Sequence, residues 1–360
     1  MLVFLLIIYT LFSSLSLGAL AEEIPTPPES WESVTALSED VVVGSRLYEL
    51  FFGKSEEGEK GTRLIPGGEV FGVKIKQKHV SVIESKKITL LKRGDIILSV
   101  DGKEVNSVRE VADLIKSCGG NSLTIRAIHG GEEIKIEVRP TLEDGEYRLG
   151  LSLRDGALGI GTVTFVDPET GIFGGLGHGI CDGDTGEIIS METGEVSGVI
   201  LGGVHRGECG RPGELTGILT EEELGDISKN SECGVFGILD KEDIKQDTPL
   251  QIGTKSELHE GEATIISTVK NGKRAEYKIE IFDIDRASTG SKSFRIKVTD
   301  PTLKAITGGI VRGMSGSPII QDGKLVGAVT HVMVADPTEG YGIFIENMLS
   351  AAEMPMAKAS

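Results

Sequence analysis

The sequence predicts a mostly β protein: a small α/β module followed by a larger region of two antiparallel barrels. Three observations carry that expectation. The chain has 360 residues, which suits two domains of ordinary size better than one. Glycine supplies 49 of them, about twice the usual share. It follows no three-residue period, so a collagen-like chain is excluded and many turns between short strands are expected. Finally, Val/Ile/Thr-rich segments punctuated by turn residues recur throughout 145–360.

Composition excludes several functions. Lys and Arg number 37 against 55 Asp and Glu, a net charge of −18. A chain this acidic is unsuited to holding nucleic acid or anionic lipid by bulk charge. Between Arg154 and Lys245 stand 18 acidic and 6 basic residues. No twelve-residue calcium loop accompanies them, so they read as a solubilising surface. Cys118, Cys181, Cys209 and Cys233 form no CxxC pair, and the histidines do not cluster with them. Neither a metal site nor another cofactor is expected, and the spacing selects no disulfide pairing.

The first residues set the expected compartment. Leu2 to Ile8 is unbroken apolar sequence, apolar character continues to Leu20, and Ala19-Leu-Ala21 has the small-x-small form of a signal-peptidase site. Residues 1–21 are therefore an expected export signal or signal-anchor, with the remainder outside the cytoplasm. Residues 22–62 read as a tether. Ile24-Pro-Thr-Pro-Pro28 holds neither helix nor ladder, and Gly53 to Gly61 is polar and Gly-rich.

Residues 63–144 read as the α/β module. Val70 to Ile75 is a strand and Val80 to Ile83 a second. Gly94 to Val105 gives two strands around an Asp101-Gly102 hairpin turn. Val108 to Ser117 is a helix, with Val111, Leu114 and Ile115 at helical spacing, ended by Gly119-Gly120. Leu123 to Ile128 and Ile134 to Val138 form a second hairpin. This order, carrying Gly94-Asp-Ile-Ile-Leu-Ser-Val-Asp-Gly102, resembles a PDZ domain. Phe71-Gly72-Val73 matches the apolar-Gly-apolar loop whose N–H groups receive a peptide carboxylate beside a strand edge.

In 145–360 the alternating segments are Ile160 to Val166, Val196 to Val204, Ala263 to Val269, Tyr277 to Phe282 and Phe294 to Val298, with a helix from Ile345 to Ala352. Chemistry concentrates at Gly313-Met-Ser-Gly-Ser-Pro318, followed by a hairpin at Asp322-Gly323. Ser315 stands at a tight turn, and the N–H groups of Gly313 and Ser315 can point at one oxyanion. The segment resembles the nucleophile region of chymotrypsin-like serine proteases, with Met314 where many carry Asp. Ser317 precedes proline, lacks flanking glycines and ranks behind Ser315. A serine nucleophile needs a base. Among His79, His129, His178, His205, His259 and His331, His178 stands between Gly177 and Gly179 at the start of the protease-like region. His331, on the strand returning from the nucleophile hairpin, is a cleft residue. Asp300 is the expected orienting acid, Asp182 and Asp184 are loop-stabilising residues, and Asp336 is a weaker rival. Gly309, six residues before Ser315, occupies the place where trypsin-like enzymes carry an acid, so no strong Arg/Lys preference is expected from it.

The whole chain resembles the stage IV sporulation protein B family of serine peptidases. The resemblance rests on Arg154 to Phe165, Gly175-Leu-Gly-His178, Gly225-Asp-Ile-Ser-Lys-Asn230, Gly308 to Ile320, and Ala328-Val-Thr-His-Val332 followed by Asp336-Pro-Thr338. Met314 fits this family's nucleophile motif. The resemblance implies His178, Asp300 and Ser315 as the catalytic residues. It also implies export across the inner forespore membrane, self-cleavage, and cutting of a membrane-bound regulator of an intramembrane protease, which leads to activation of a late sigma factor. The alternatives are an exported PDZ adaptor with an inactive protease fold, and a general envelope quality-control protease. The latter usually carries its PDZ domain after the protease domain.

Overall fold

The computed structural model describes residues 61–354, except Thr89, Asp184, Thr185, Lys245, Gln246 and Asn271. The export signal of 1–21, nearly all of the tether and Asp184 lie outside the described residues. Among the described residues, no helix is long and apolar enough to cross a membrane. All of them belong to one compact unit, Glu57–Ser360.

The chain enters through β1 (Arg63–Pro66) and β2 (Val70–Ser85), a single strand with a bulge near its middle. The module follows: β3 (Ile96–Val100), β4 (Lys103–Glu104), α1 (Val108–Ser117), β5 (Leu123–His129) and β6 (Glu132–Val138). Asp101 (φ 50°) and Gly102 (φ 75°) make the tight turn between β3 and β4, where both central residues require positive φ. Helix α1 begins with a capping box. Ser107 accepts from the Glu110 N–H, and the Glu110 carboxylate accepts from the Ser107 N–H. Val111 and Ile115 go into the module core with Val80, Leu91, Ile97 and Ile125. A small hairpin, β7 (Thr141–Glu143) and β8 (Glu146–Arg148), leads into β9 (Leu151–Val166).

Two barrels follow. After β9 come β10 (Ile172–Gly175), β11 (Met191–His205), β12 (Glu214–Ser231) and β13 (Gly234–Leu239). The pairings β2–β9, β9–β10, β10–β13, β13–β12, β12–β11 and β11–β2 close a ring of six strands. Phe71, Val73, Phe173, Val196 and Val235 fill it. The short β14 (Leu250–Gln251) pairs with β1. The second barrel comprises β15 (Gly261–Lys270), β16 (Lys273–Phe282), β17 (Phe294–Val298), β18 (Pro318–Gln321), β19 (Lys324–Met333) and β20 (Asp336–Phe344), with α2 (Pro301–Thr307) between β17 and β18. Helix α3 (Ile345–Ala351) places Ile345, Met348 and Leu349 in a cluster with Phe165 and Phe236 of the first barrel and Leu325 and Ile343 of the second. The expected fold class holds: a PDZ-like α/β module and a chymotrypsin-like double β-barrel.

The expected boundary between 63–144 and 145–360 needs correction. The module is inserted into the first barrel. Val70 to Lys76 pair with Thr162 to Gly156 of β9, and the register then shifts so that Ser81 to Ser85 pair with Arg154 to Leu151. One pair of long strands thus serves the barrel at one end and the module at the other. A strand pairs by edge and register, which a boundary drawn between composition blocks does not capture.

Candidate active site

The nucleophile turn is built by the second barrel and stapled by the first. Gly313 and Gly316 both have φ 96°, a region a side chain resists, so the chain curls tightly around Ser315. From β9, the Thr162 N–H donates to the Ser315 carbonyl (2.9 Å). The Thr162 Oγ1 donates to the Gly313 carbonyl (2.7 Å), and the Thr164 Oγ1 to the Gly316 carbonyl (2.8 Å). A Cβ on Gly316 would lie 1.9 Å from the Thr162 oxygen and 2.5 Å from the Leu176 nitrogen. The two barrels therefore meet in close contact at this turn. Met314 is fully buried in the second barrel's core, a role that Asp could not fill.

With those carbonyls occupied, the N–H groups of Gly313 and Ser315 find no acceptor among the described residues. Free backbone donors beside the nucleophile are what a developing oxyanion requires. The Ser315 hydroxyl is half-buried and donates to the Thr330 carbonyl (2.8 Å). Ser317 has no solvent exposure and donates to Ser267 Oγ (3.0 Å), which agrees with ranking it behind Ser315.

His178 follows the sharp bend at Leu176 (φ 66°) and Gly177 (φ 67°), directly after β10. Its loop lies against β19, where a Cβ on Gly177 would come within 2.9 Å of Thr330 Cγ2. The His178 Nδ1 lies 2.9 Å from the Gly179 carbonyl oxygen. A donated Nδ1–H there leaves Nε2 bare, the tautomer a general base needs. Burial pulls the His178 pKa below its ordinary value, so the ring is neutral near pH 7. Asn230, on β12, pins this loop: it accepts from the Ile180 N–H (2.9 Å) and donates to the carbonyls of Ile180 (2.9 Å) and Ile189 (3.1 Å). The sequence reading gave Asn230 no role of its own. An amide ending an 18-residue strand carries no signal without knowledge of the loop it faces.

His331 joins His178. Their ring centroids are 4.8 Å apart with planes inclined by 37°. His331 directly follows Thr330, so Ser315, His178 and His331 all gather at the Thr330-His331 segment of β19, with no hydrogen bond between Ser315 and His178 among the described residues. Asp182 pairs with Arg154 (2.8 Å), the loop-stabilising role expected of it. His205 and His259 are exposed and paired with Glu214 and Asp322.

Three expected site residues are not at this cleft. The Asp300 carboxylate caps α2, accepting from the Leu303 N–H (2.9 Å) and from the Lys278 N–H (3.4 Å). No hydrogen bond or ion pair joins it to His178 among the described residues. Pro301 starts the helix and Asp is among the best N-cap residues, which accounts for where the carboxylate stands. Gly309 is buried with φ 148°, and a Cβ there would lie 2.1 Å from the Pro337 oxygen. It is a close-approach glycine beneath the β20 entry, not a cleft wall. Asp336 bonds to Thr338 and does not approach His178.

The expected carboxylate loop at Phe71, Gly72 and Val73 lies in the middle of β2. Gly72 pairs with Ile160 on one side and Ser197 on the other, so its backbone has no free edge. The same apolar-Gly-apolar signal recurs at Leu149-Gly150-Leu151, which the sequence reading passed over. There Gly150 has φ 66° and its carbonyl accepts from the Lys86 N–H (2.9 Å). Leu151 to Arg154 then pair with β2 along one edge only among the described residues, beside α1, whose Val108 N–H donates to Asp155 (2.7 Å). A strand edge next to a helix is the geometry that accepts an added peptide strand.

Among solved structures, the PDZ domain of an SdrC-like protein from Listeria monocytogenes is 26% identical over 22% of this chain and 93% of its own, with a TM-score of 0.21. The Rv3671c protease from M. tuberculosis in its active form is 10% identical over 57% of this chain and 77% of its own, with a TM-score of 0.33. Its inactive form is 11% identical over 53% and 83%, with a TM-score of 0.30. No curated protein matches the chain. The family model described as SpoIVB peptidase S55 matches residues 145–349. That span holds both barrels apart from β2, together with Ser315, His178 and His331, and the chain belongs to the SpoIVB peptidase family.

Proposed function

We propose that the protein is a serine endopeptidase in which Ser315 attacks the scissile carbonyl and His178 acts as its base. The observation that carries this reading is the nucleophile turn: two unpaired N–H groups flank a half-buried hydroxyl, held by three hydrogen bonds from β9. In the reaction the Ser315 proton moves to His178 Nε2 as Oγ bonds to the carbonyl carbon. The Gly313 and Ser315 N–H groups hold the oxyanion, and His178 then passes the proton to the leaving amine. The hydroxyl must first leave the Thr330 carbonyl to donate to the imidazole. Water repeats the sequence to release the acyl group.

The substrate class is protein. The family's name fits sporulation, and the leading apolar segment supports export with initial membrane association. On that basis we infer that the substrate is a membrane-bound regulator, and that the chain also cuts itself. Docking of a peptide on the open edge of β9 at Leu151 to Arg154 is the recognition mode the geometry supports. The test is a purified-protein assay with a serine-directed phosphonate. Wild type should be labelled at Ser315 and cleave peptide. Ser315→Ala should lose label and activity by on the order of 10⁴-fold or more while melting at the same temperature. Undiminished cleavage by Ser315→Ala ends this reading. Absence of both labelling and cleavage in a folded wild-type protein would favour the adaptor alternative.

A further inference from the structure

We propose that the first barrel sets the oxyanion hole carried by the second. The arm formed by the paired ends of β11 and β12 holds the Arg312-Gly313 peptide so that its N–H faces the reacting carbonyl, with Leu215 as the positioning residue. This deepens the peptidase reading above and rests on it.

The nucleophile segment begins as a β-turn. The Met314 N–H donates to the Val311 carbonyl (3.1 Å), which puts Arg312 and Gly313 at the two central positions. Gly313 has φ 96°, in the positive range that a type II turn requires at its third residue. Types I and II share the closing hydrogen bond and differ by a half-turn of the central peptide. Here that peptide is Arg312-Gly313, so the turn type decides which way the Gly313 N–H faces. The closing bond alone leaves both choices open.

The choice is made from β12. The Leu215 N–H donates to the Arg312 carbonyl (2.8 Å), and the Arg312 N–H donates to the Gly213 carbonyl (2.9 Å), a short parallel pairing. In a planar trans peptide, C=O and N–H point in opposite directions. A carbonyl held toward the arm therefore sends the Gly313 N–H away from it, where it meets no acceptor among the described residues. A half-turn of this peptide would aim the Gly313 N–H at the Leu215 N–H and leave both donors unpaired, which is costly away from water. The next peptide is fixed as well, since the Thr162 Oγ1 of β9 donates to the Gly313 carbonyl (2.7 Å). Both peptide groups flanking Gly313 are thus held by residues of the first barrel.

The arm is itself braced on the second barrel. Val199 to His205 of β11 pair with Leu219 to Glu214 of β12. Beyond β11, the Gly207 N–H donates to the Thr307 carbonyl (2.8 Å) and the Gly210 N–H to the Val334 carbonyl (2.8 Å). The Arg206 guanidinium donates to the carbonyls of Ala305 and Lys304 (the latter 3.3 Å), at the C-terminal end of α2, where a cation is favoured. Leu215 is buried in the second barrel's core, with Leu201 and Val204 packed against it.

The experiment exchanges one N–H in the full-length protein. Leu215 is replaced by its α-hydroxy analogue, which keeps the side chain and puts an ester oxygen where the N–H stood. That oxygen faces the Arg312 carbonyl and repels it. kcat should fall about tenfold or more with KM within about twofold, because the hole acts as charge develops on the substrate oxygen. Affinity for a peptide boronic acid, whose tetrahedral adduct puts an oxygen in the hole, should fall by the same factor as kcat/KM. In a Ser315→Ala background, a strong NOE between Arg312 Hα and the Gly313 N–H marks the type II turn, and the ester should weaken it. Arg206→Ala, which frees the end of the arm, should lower kcat and boronate affinity about threefold. Unchanged kcat and boronate affinity in a folded ester protein overturn the proposal. So does a loss of kcat with the type II NOE intact. If the ester protein melts below the assay temperature, Arg206→Ala decides, and unchanged kcat, boronate affinity and NOE there overturn the proposal. Activity remaining in Ser315→Ala would instead refute the peptidase reading, while the NOE would still report the turn.

Discussion

Asp300 is the residue at which two roles can be told apart by one substitution pair. As an N-cap it accepts the Leu303 N–H, and asparagine does this almost as well. Asp300→Asn should therefore leave the melting temperature nearly unchanged, and Asp300→Ala should cost about 1 kcal/mol. Peptidase activity should stay within a few-fold in Asp300→Asn; a loss of three orders of magnitude there would mean that the carboxylate reaches His178 during catalysis. The two cleft histidines also give the site a pH signature. Burial lowers the pKa of both, so each is neutral in the folded protein where the unfolded chain has begun to take up protons. Their contribution is fully present above the ordinary value near 6.5 and is lost as pH falls toward the His331 value of about 4. Thermal melts across that interval should show stability falling with acid, and His331→Phe should flatten the fall. The acid limb of kcat/KM should lie below 6.5, following His178.

At the level of elements, β2 and β9 carry most of the design, and glycine placement shows why. Gly72 sits between two paired strands, where a Cβ would lie 2.4 Å from Ser197 Oγ and 2.7 Å from Leu219 Cγ. Gly72→Glu should thus destabilise the first barrel by about 3 kcal/mol or more, since it buries an unpaired carboxylate. The measurement is a denaturant melt. A stable Gly72→Glu protein deficient only in peptide binding would restore Phe71-Gly72-Val73 as the carboxylate loop. Local signals were legible where they are self-contained. Helix α1 runs over the residues its apolar spacing marks, the Asp101-Gly102 turn is where the dipeptide puts it, and β17 spans Phe294 to Val298 as alternation predicts. Ser315 and His178 stand out in the sequence because glycine lies close on both sides of each. The strand β12 was not, since Glu221, Glu222 and Glu223 sit in its exposed middle and break the apolar alternation. Nor was the partnership of β2 with β9, where Val70 pairs with Thr162 and Ser85 with Leu151, far apart along the chain. Pairing depends on which edges remain free after the whole sheet forms, and no window along the chain contains that information.

The molecule as a whole places a peptidase behind a sequence that ends its apolar segment at Ala21 and then runs through 22–60 before the first described residues. If the apolar segment stays in the membrane, every copy carries the same stretch within reach of its own cleft or a neighbour's. Such tethering raises the local concentration of that stretch far above that of any free substrate. Pro25, Pro27 and Pro28 donate no backbone hydrogen bond, and Gly53-Lys-Ser-Glu-Glu-Gly-Glu-Lys-Gly61 contains only glycine and polar or charged residues. Cleavage requires an extended backbone in the cleft, and proline beside the scissile bond opposes it. Val41 to Gly61 is accordingly the expected region of self-cleavage, and it lies, apart from Gly61, outside the described residues. Wild-type cells should contain a shortened soluble form on a blot of membrane and soluble fractions. Ser315→Ala should remain full length and membrane-bound, unless signal peptidase acts after Ala21. Mixing purified Ser315→Ala with active protein separates the two routes: trimming of the inactive chain means cleavage between copies. Trimming of Ser315→Ala alone, at the site used in wild type, would assign the cut to another protease.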